Sequence, residues 1–418
     1  MISGIFMPKN GNTVKKVYMW TVLAGSIYAG SSFIISMVTS NVMGTYAAGI
    51  LAIAMTIGNQ LLTIGYYDVR PFQVSDVTEQ HSFSDYMLFR IISTAVMLLT
   101  GTVWLIIRDA SIDNLIAIAL VIIFKAGESI SDLFEGRYQQ KGRYDISCRG
   151  VVYKTVLYLV GFIVSMIITK SLLVALMVMS FLYWLSIIII DSRLIPKFGK
   201  VKLKFRWQKQ VQILSECAPL FINSFLALYI LNASKYVVDS HYGEELLGVF
   251  NTLYMMAFVI NLFASFVFKP LIVTLSEHHL RGEYAKFTRL IKRQVLVVIG
   301  IAIGCLVGTW FLGTQVLSGF SGIDLSPYRI ELCIILVAGT FSALYQLFNF
   351  SIVIMRHQRY CLVASIITTI LTAVITPLLV KRYALIGAAG SYLISMAVMA
   401  LILAVFTIYF LKKKEVSK

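Results

Sequence analysis

Residues 65–90 read GYYDVRPFQVSDVTEQHSFSDYMLFR. This is the longest polar passage in the first 130 residues, and it lies between two apolar runs each long enough to cross a bilayer. Arg70, Asp76, Glu79, Asp85 and Arg90 put both charge signs into a short span. An ungapped shift of 199 residues recovers a shadow of it. The shift pairs Arg70 with Lys269, Pro71 with Pro270, Val74 with Val273 and Arg90 with Arg289. It also aligns Gly44 with Gly243, Gly49 with Gly248 and Gly101 with Gly300. Apolar matches mean little in so hydrophobic a chain; the glycines, the proline and the basic positions carry the repeat.

Working outward, the 418 residues are 58% hydrophobic and 13% charged, with mean hydropathy +0.82. That excludes a soluble globular protein. A bilayer core of about 30 Å takes roughly 20 helical residues, and the chain has room for about twelve such runs. They fall at 17–40, 43–66, 84–107, 113–135, 148–169, 171–191, 211–238, 244–268, 290–315, 328–354, 358–380 and 384–411. With the N-terminus inside, about 28 of the 36 basic residues lie on inner segments and about six on outer ones, leaving Arg90 and Lys125 within spans. Both termini are thereby expected in the cytoplasm, and the first apolar run reads as an uncleaved span. The fold class expected is all-α integral membrane protein, with two pseudo-symmetric six-helix lobes around a central cavity. The lobes are read as 1–195 and 211–411, joined by a basic linker (196–210) and followed by a basic tail (412–418). Six spans per repeat give both lobes one orientation, with the pseudo-two-fold axis along the membrane normal.

The net charge of +16 is mostly this asymmetry, and its cations are scattered over loops, so a nucleic-acid partner is not indicated. Cys148, Cys217, Cys305, Cys333 and Cys361 show no CxxC and read as small packing residues. There is no HExxH, P-loop or GxSxG, so no metal site, cofactor, ATPase or catalytic constellation is indicated and the chain is expected not to be an enzyme.

Ionisable residues inside spans are costly and mark cavities or partners. Lys125, Glu128, Asp132 and Glu135 recur at three, four and three residues along one face of the fourth span. They read as a cavity lining, or as an internal salt-bridge seam. In the seventh span, Asn232, Lys235 and Asp239 share a face, with Asn223 and Ser224 nearby. Lys235 is either a snorkelling lysine or a cation for an anionic group in the cavity. Pro219 is placed to kink that span. Arg90 and Arg289 read as snorkelling residues or as two basic groups flanking the inner mouth, with Arg70, Arg137, Arg143, Arg149 and Lys269 on the same side. Asp76 and Asp85, replaced by Leu275 and Tyr284 in the second copy, make the first copy the better charge-based gate.

At these residues the chain resembles the polysaccharide (O-antigen- or capsule-type) flippases of the multidrug/oligosaccharidyl-lipid/polysaccharide (MOP) exporter superfamily. The resembling stretches are residues 65–90, KAGESISDLFEGRYQQKGRYDIS and NASKYVVDSHYGEELLGVFNTLYMMAFVINLFASFVFKP. Ser234 departs from the pattern, because a proline often precedes the Lys-Tyr pair in such proteins. The resemblance implies alternating-access flipping of an undecaprenyl-diphosphate-linked oligosaccharide across a bacterial cytoplasmic membrane. The diphosphate would meet Lys125 and Lys235, and the sugars Asn223, Asn232 and Tyr236. Glu128, Asp132 and Asp239 would serve a coupling H⁺ or Na⁺. The implied partners are membrane lipids, polysaccharide polymerase and glycosyltransferases. The rival readings are a cation-coupled multidrug exporter of the same superfamily and a membrane polysaccharide polymerase or ligase, which would need a larger outer loop than 316–327.

Overall fold

The computed structural model describes residues 14–76, 79–108, 110–198 and 205–416, excluding the side chains of 14–16, 258–259, 261–267, 269–270, 272–273 and 413–416. Those described residues form helices joined by short turns. The helices are α1 (Val14–Tyr66), α2 (Val69–Ser75), α3 (Phe83–Ile107), α4 (Ile112–Gln140), α5 (Tyr144–Thr169) and α6 (Leu172–Ser186), then α7 (Trp207–Leu280), α8 (Tyr284–Gly308), α9 (Thr314–Ser321), α10 (Arg329–Ile354) and α11 (Arg359–Val416). Among the described residues, nine helical stretches are long and apolar enough to cross a membrane.

Helices α1, α7 and α11 run 53, 74 and 58 residues, far beyond the roughly 20 that a bilayer needs. Each is interrupted once, at Gly44, Gly243 and Ala384. These interruptions fall where the hydropathy pattern separates consecutive spans. Gly44 (φ 82°, ψ −171°) and Gly243 (φ 77°, ψ −173°) adopt the same backbone conformation, one that essentially only glycine occupies. The repeat read from sequence is thus present as geometry.

The alignment slips by two residues after this point. Helix α3 starts at Phe83 and α8 at Tyr284, both 25 residues long. The buried positions Tyr86, Arg90, Ser93, Met97 and Gly101 of α3 match Phe287, Ile291, Gln294, Val298 and Ala302 of α8. Arg90 therefore corresponds to Ile291, and the pairing of Arg90 with Arg289 is corrected. A further insertion holding α9 precedes α10. Beyond it, the helix ends match again: Gly142 (φ 72°) corresponds to Arg356 (φ 64°), and Lys170 (φ 47°) to Ala384 (φ 46°).

The chain divides into two compact units, 1–225 and 226–418. The division falls inside α7 rather than in the basic linker, whose residues 199–204 lie outside the described ones. The reason is packing: Ile213 and Cys217 of α7 are buried against Val69, Tyr86, Phe89 and Leu133 of the first unit. Gly243 is the one non-helical residue inside α7, so neither Pro219 nor Ser234 breaks it. Ser234 instead donates to the Ala388 carbonyl (3.0 Å) and contacts Ser391 Oγ (3.0 Å), tying α7 to α11.

In the first unit, α4 is the central helix, packed by α1, α2, α3, α5 and α6. In the second, one apolar cluster gathers Phe287 and Ile291 of α8, Leu347 and Ile352 of α10, and Cys361, Phe410 and Leu411 of α11.

The helix breaks give a first prediction. Gly44→Ala and Gly243→Ala should each cost about 1–3 kcal/mol, read as a lower melting midpoint of the detergent-solubilised protein. Gly25→Ala, in regular helix with nothing within 4 Å of the added methyl, should leave it unchanged. Unaltered melting in both kink variants would show that the breaks are not glycine-dependent.

Candidate functional site

Because five helices pack around α4, its polar face meets protein rather than lipid. Arg70, delivered by α2, donates to Asp132 Oδ1 (2.8 Å) and Glu135 Oε2 (3.1 Å). Arg90 of α3 is fully buried and donates to Asp132 Oδ2 (2.9 Å) and the Gly65 carbonyl (2.8 Å). On the other flank, Lys154 of α5 donates to Ser131 Oγ (2.5 Å) and pairs with Asp191 (2.7 Å), with Glu135 at 3.7 Å. Ser131 passes the interaction on to Glu135 Oε1 (3.1 Å), and Tyr138 donates to Asp191 (3.0 Å). Asp191 reaches this place from a π-helical turn, Ile187–Asp191, that extends α6.

The result is a network of three cations (Arg70, Arg90, Lys154) and three carboxylates (Asp132, Glu135, Asp191). Isolated buried charges are expensive, and each is tolerable here because it is paired and hydrogen-bonded. Of the two readings of the α4 stripe, Asp132 and Glu135 follow the salt-bridge seam. Arg90 is not a snorkelling or mouth residue: its guanidinium is sealed inside the unit. Lys154 and Asp191 were missed. Lys154 lies inside the span read as 148–169 and carries the same signal as Lys125.

One turn along α4, Lys125 pairs with Glu128 (2.6 Å), both buried, and Tyr28 of α1 donates to Glu128 Oε1 (3.2 Å). Lys125 is therefore already neutralised.

The loop following α2 is held from several directions. Asp76 accepts from the backbone N–H groups of Gln80 (2.9 Å) and His81 (3.0 Å) and from the Tyr86 hydroxyl (2.9 Å). Burial works against its ionisation, but these donors outweigh it and hold the carboxyl below its usual range. Asp85 closes a capping box with Ser82 at the start of α3, and it pairs with Arg206 at 2.5 Å. Arg137 pairs with Glu79 (2.7 Å), as does Lys141 (2.5 Å), and Arg143 pairs with Asp145 (2.9 Å). Lys141 and Arg137 hold Glu79 below the usual carboxylate range. Neither Asp76 nor Asp85, the carboxylates read as a charge-based gate, pairs with Arg137, Arg143 or Arg149; Glu79 is the partner of Arg137 and Arg206 that of Asp85. Arg149 lies over the Trp20 ring (5.1 Å). The second copy has no corresponding loop at Lys269, since α7 runs on to Leu280 there. Arg289 is exposed, and the Lys269 side chain lies outside the described residues.

In the second unit, Lys235 is buried, with its Nζ 4.2 Å from the centroid of the Tyr254 ring. Among the described residues, no carboxylate stands within ion-pair distance of it. A cation on a ring face is stabilised by about 2 kcal/mol or more when desolvated, without being neutralised. Tyr254 is fixed by a hydrogen bond to the Leu231 carbonyl (3.0 Å) and by packing on Tyr392 (5.0 Å). Close by in sequence, Tyr236 stacks on Tyr229 (6.3 Å, 18°) and both are half-buried. Asn232 donates to the Leu228 carbonyl (3.0 Å) and Asp239 is half-buried along the same helix, while Asn223, also half-buried, falls in the first unit.

No protein-family model matches the chain. The capsular polysaccharide biosynthesis protein CapF of Staphylococcus aureus is 24% identical over 287 residues, 68% of this chain and 72% of that protein. Among solved structures, an inward-facing multidrug resistance MATE family transporter of the MOP superfamily aligns with TM-score 0.63 and 14% identity, covering 99% of this chain and 98% of that one. An outward-facing MATE transporter of the same superfamily aligns with TM-score 0.63 and 12% identity, covering 96% of each. The chain is a multi-pass membrane protein with the fold of the MOP-superfamily transporters.

Proposed function

We propose that the protein is a flippase that carries an undecaprenyl-diphosphate-linked oligosaccharide from the inner to the outer leaflet of a bacterial cytoplasmic membrane, for cell-surface polysaccharide assembly. It would cross the membrane twelve times with both termini inside, and work by alternating access. The observation that carries the reading is Lys235, a buried cation held on an aromatic face with no carboxylate of its own. A membrane-embedded cation in that state suits a substrate that brings its own negative charge, such as a lipid diphosphate. The stacked pair Tyr229–Tyr236 and the amides Asn223 and Asn232 offer the aromatic faces and hydrogen bonds that sugars use. The capsule-related name of the relative supports the same substrate class.

Lys125 recedes as a diphosphate ligand because Glu128 already holds it. Asp132, bound by two arginines, is committed to structure. Glu128, with one lysine and one hydroxyl as partners, is the better-placed acid for a coupling H⁺ or Na⁺. Glycosyltransferases and a polysaccharide polymerase would supply and consume the substrate. The solved structures it aligns with are multidrug transporters, but an unneutralised buried lysine suits an anionic cargo better than a cationic one.

Depleting the protein in its host should trap lipid-linked repeat units on the cytoplasmic face. Unchanged outward display would sink the proposal, and heightened drug sensitivity without trapping would favour the exporter. At residue level, Lys235→Ala should lower export at least about tenfold while abundance stays normal, in line with loss of one charge-assisted contact of about 1.5–3 kcal/mol. Lys235→Arg should retain part of it. Arg90→Ala should act differently, lowering stability by about 3–5 kcal/mol through the stranded Asp132 carboxylate. Full export by the Lys235→Ala variant would remove this lysine from the substrate path.

A further inference from the structure

The cations of the two units are balanced in different ways. At the end of the first unit formed by the α2–α3 and α4–α5 connections, Arg70, Arg137, Lys141, Arg143 and Arg206 all have carboxylate partners. The corresponding end of the second unit is built where the α7–α8 and α10–α11 connections meet. Phe287, Ile291, Ile352, Met355, Cys361, Phe410 and Leu411 share one buried cluster there, which places the surrounding side chains together. Among the described side chains there, the two carboxylates are taken: Glu283 by His278 (2.7 Å) and Lys286 (2.9 Å), and Glu277 by Arg281 (3.9 Å). Arg289, Lys292, Arg293, Arg356 and Arg359 are all exposed, and among the described residues none has a carboxylate within 4 Å.

Helix α8 adds a directional feature. Arg289, Arg293, Leu296, Ile303 and Val307 recur at helical spacing on one face. Leu296 is 69% exposed, Ile303 57% and Val307 55%. Gly300 lies on that face with nothing within 4 Å of an added methyl, so the stripe is open midway. The face thus begins with guanidinium groups and continues as bare hydrocarbon, which is the order of an anionic headgroup followed by its acyl chains.

We infer that this end of the second unit is a binding site for anionic phospholipid, with the phosphate held by Arg289, Lys292 and Arg293 and the acyl chain lying along Leu296, Ile303 and Val307. The uncompensated cations then find their counterions in the leaflet rather than in the chain. The inference rests on the chain's being membrane-embedded and is independent of what it transports.

The test uses the full-length protein in a neutral detergent, titrated with phosphatidylglycerol and, separately, with phosphatidylcholine of the same acyl chains and with inorganic phosphate. The readouts are retained lipid in native mass spectra and the melting midpoint. Phosphatidylglycerol should be retained and should raise the midpoint, with an effect that weakens between low and high salt. The Arg289→Gln/Lys292→Gln/Arg293→Gln variant should need at least about tenfold more lipid, since each such cation contributes about 1 kcal/mol at an anionic surface. A Lys381→Gln/Arg382→Gln variant, altered at exposed cations beside the Ala384 break, should behave as wild type. Undiminished retention by the triple variant would overturn the site. Equal retention of phosphatidylcholine, or an equal midpoint rise with inorganic phosphate, would overturn the assignment to an anionic lipid.

Discussion

The first unit depends on a single constraint: α4 is enclosed by five helices, yet it carries ionised side chains. The buried charges of α4 cannot reach water by snorkelling, so each must be met where it stands. The structure meets them with partners drawn from the surrounding elements. Helix α2 supplies Arg70, α3 supplies Arg90, α5 supplies Lys154, and the π turn after α6 supplies Asp191. The two left-handed residues Tyr67 and Asp68 (φ 45° and 47°) acquire a reason in this light. They turn the chain between α1 and α2 so that Arg70 points back at α4 instead of continuing along the α1 axis. Replacing such a network with apolar residues would often be neutral or stabilising. What it supplies is a fixed register for the helices that share it.

The second unit shows what the same architecture does without the constraint. Helices α4 and α10 end in the same hydrogen-bonded turn: Lys141 N–H to Arg137 O and Arg143 N–H to Tyr138 O, against Met355 N–H to Ser351 O and His357 N–H to Ile352 O. Aligned on that turn, Lys125, Glu128, Asp132 and Glu135 correspond to Gly339, Ser342, Gln346 and Asn349. Lys154 becomes Thr368, which is fully buried, and Arg90 becomes Ile291. Lys125, Glu128, Asp132, Glu135, Lys154 and Arg90 thus all have neutral counterparts, whereas Arg70 aligns with Lys269. The charges are therefore not required by the helix packing itself; they are a property of one repeat.

The fold was largely legible because its signals are long and redundant. Apolar runs set the helices, and two glycines that the repeat aligns 199 residues apart prove to be helix breaks of matching backbone conformation. The pairings were harder to read, because periodicity places a residue on a face without saying what the face meets. Asp132 and Glu135 were on the right stripe, but their partners lie 42 to 65 residues away on other helices. Arg90 was misread because an ungapped comparison could not see the two-residue slip ahead of α8, and that slip moved a buried position onto an exposed one. Lys154 needed no structure at all. It is a lysine inside an apolar run, the same signal that Lys125 carries.

These findings narrow what Lys235 can be. A buried lysine is normally explained by its partner, as Lys154 is by Asp191 and Lys125 by Glu128. Lys235 has an aromatic face instead, and the cost of its burial is only partly offset by that contact. Packing offers no replacement reason, since Ser234, Ser391 and the Ala388 carbonyl already tie α7 to α11 on the adjacent side. A lysine that neither pairs nor is needed for packing is a standing destabilisation in the resting protein. Such a residue makes sense where its missing partner arrives and leaves with each cycle, which is the condition a transported anion would satisfy.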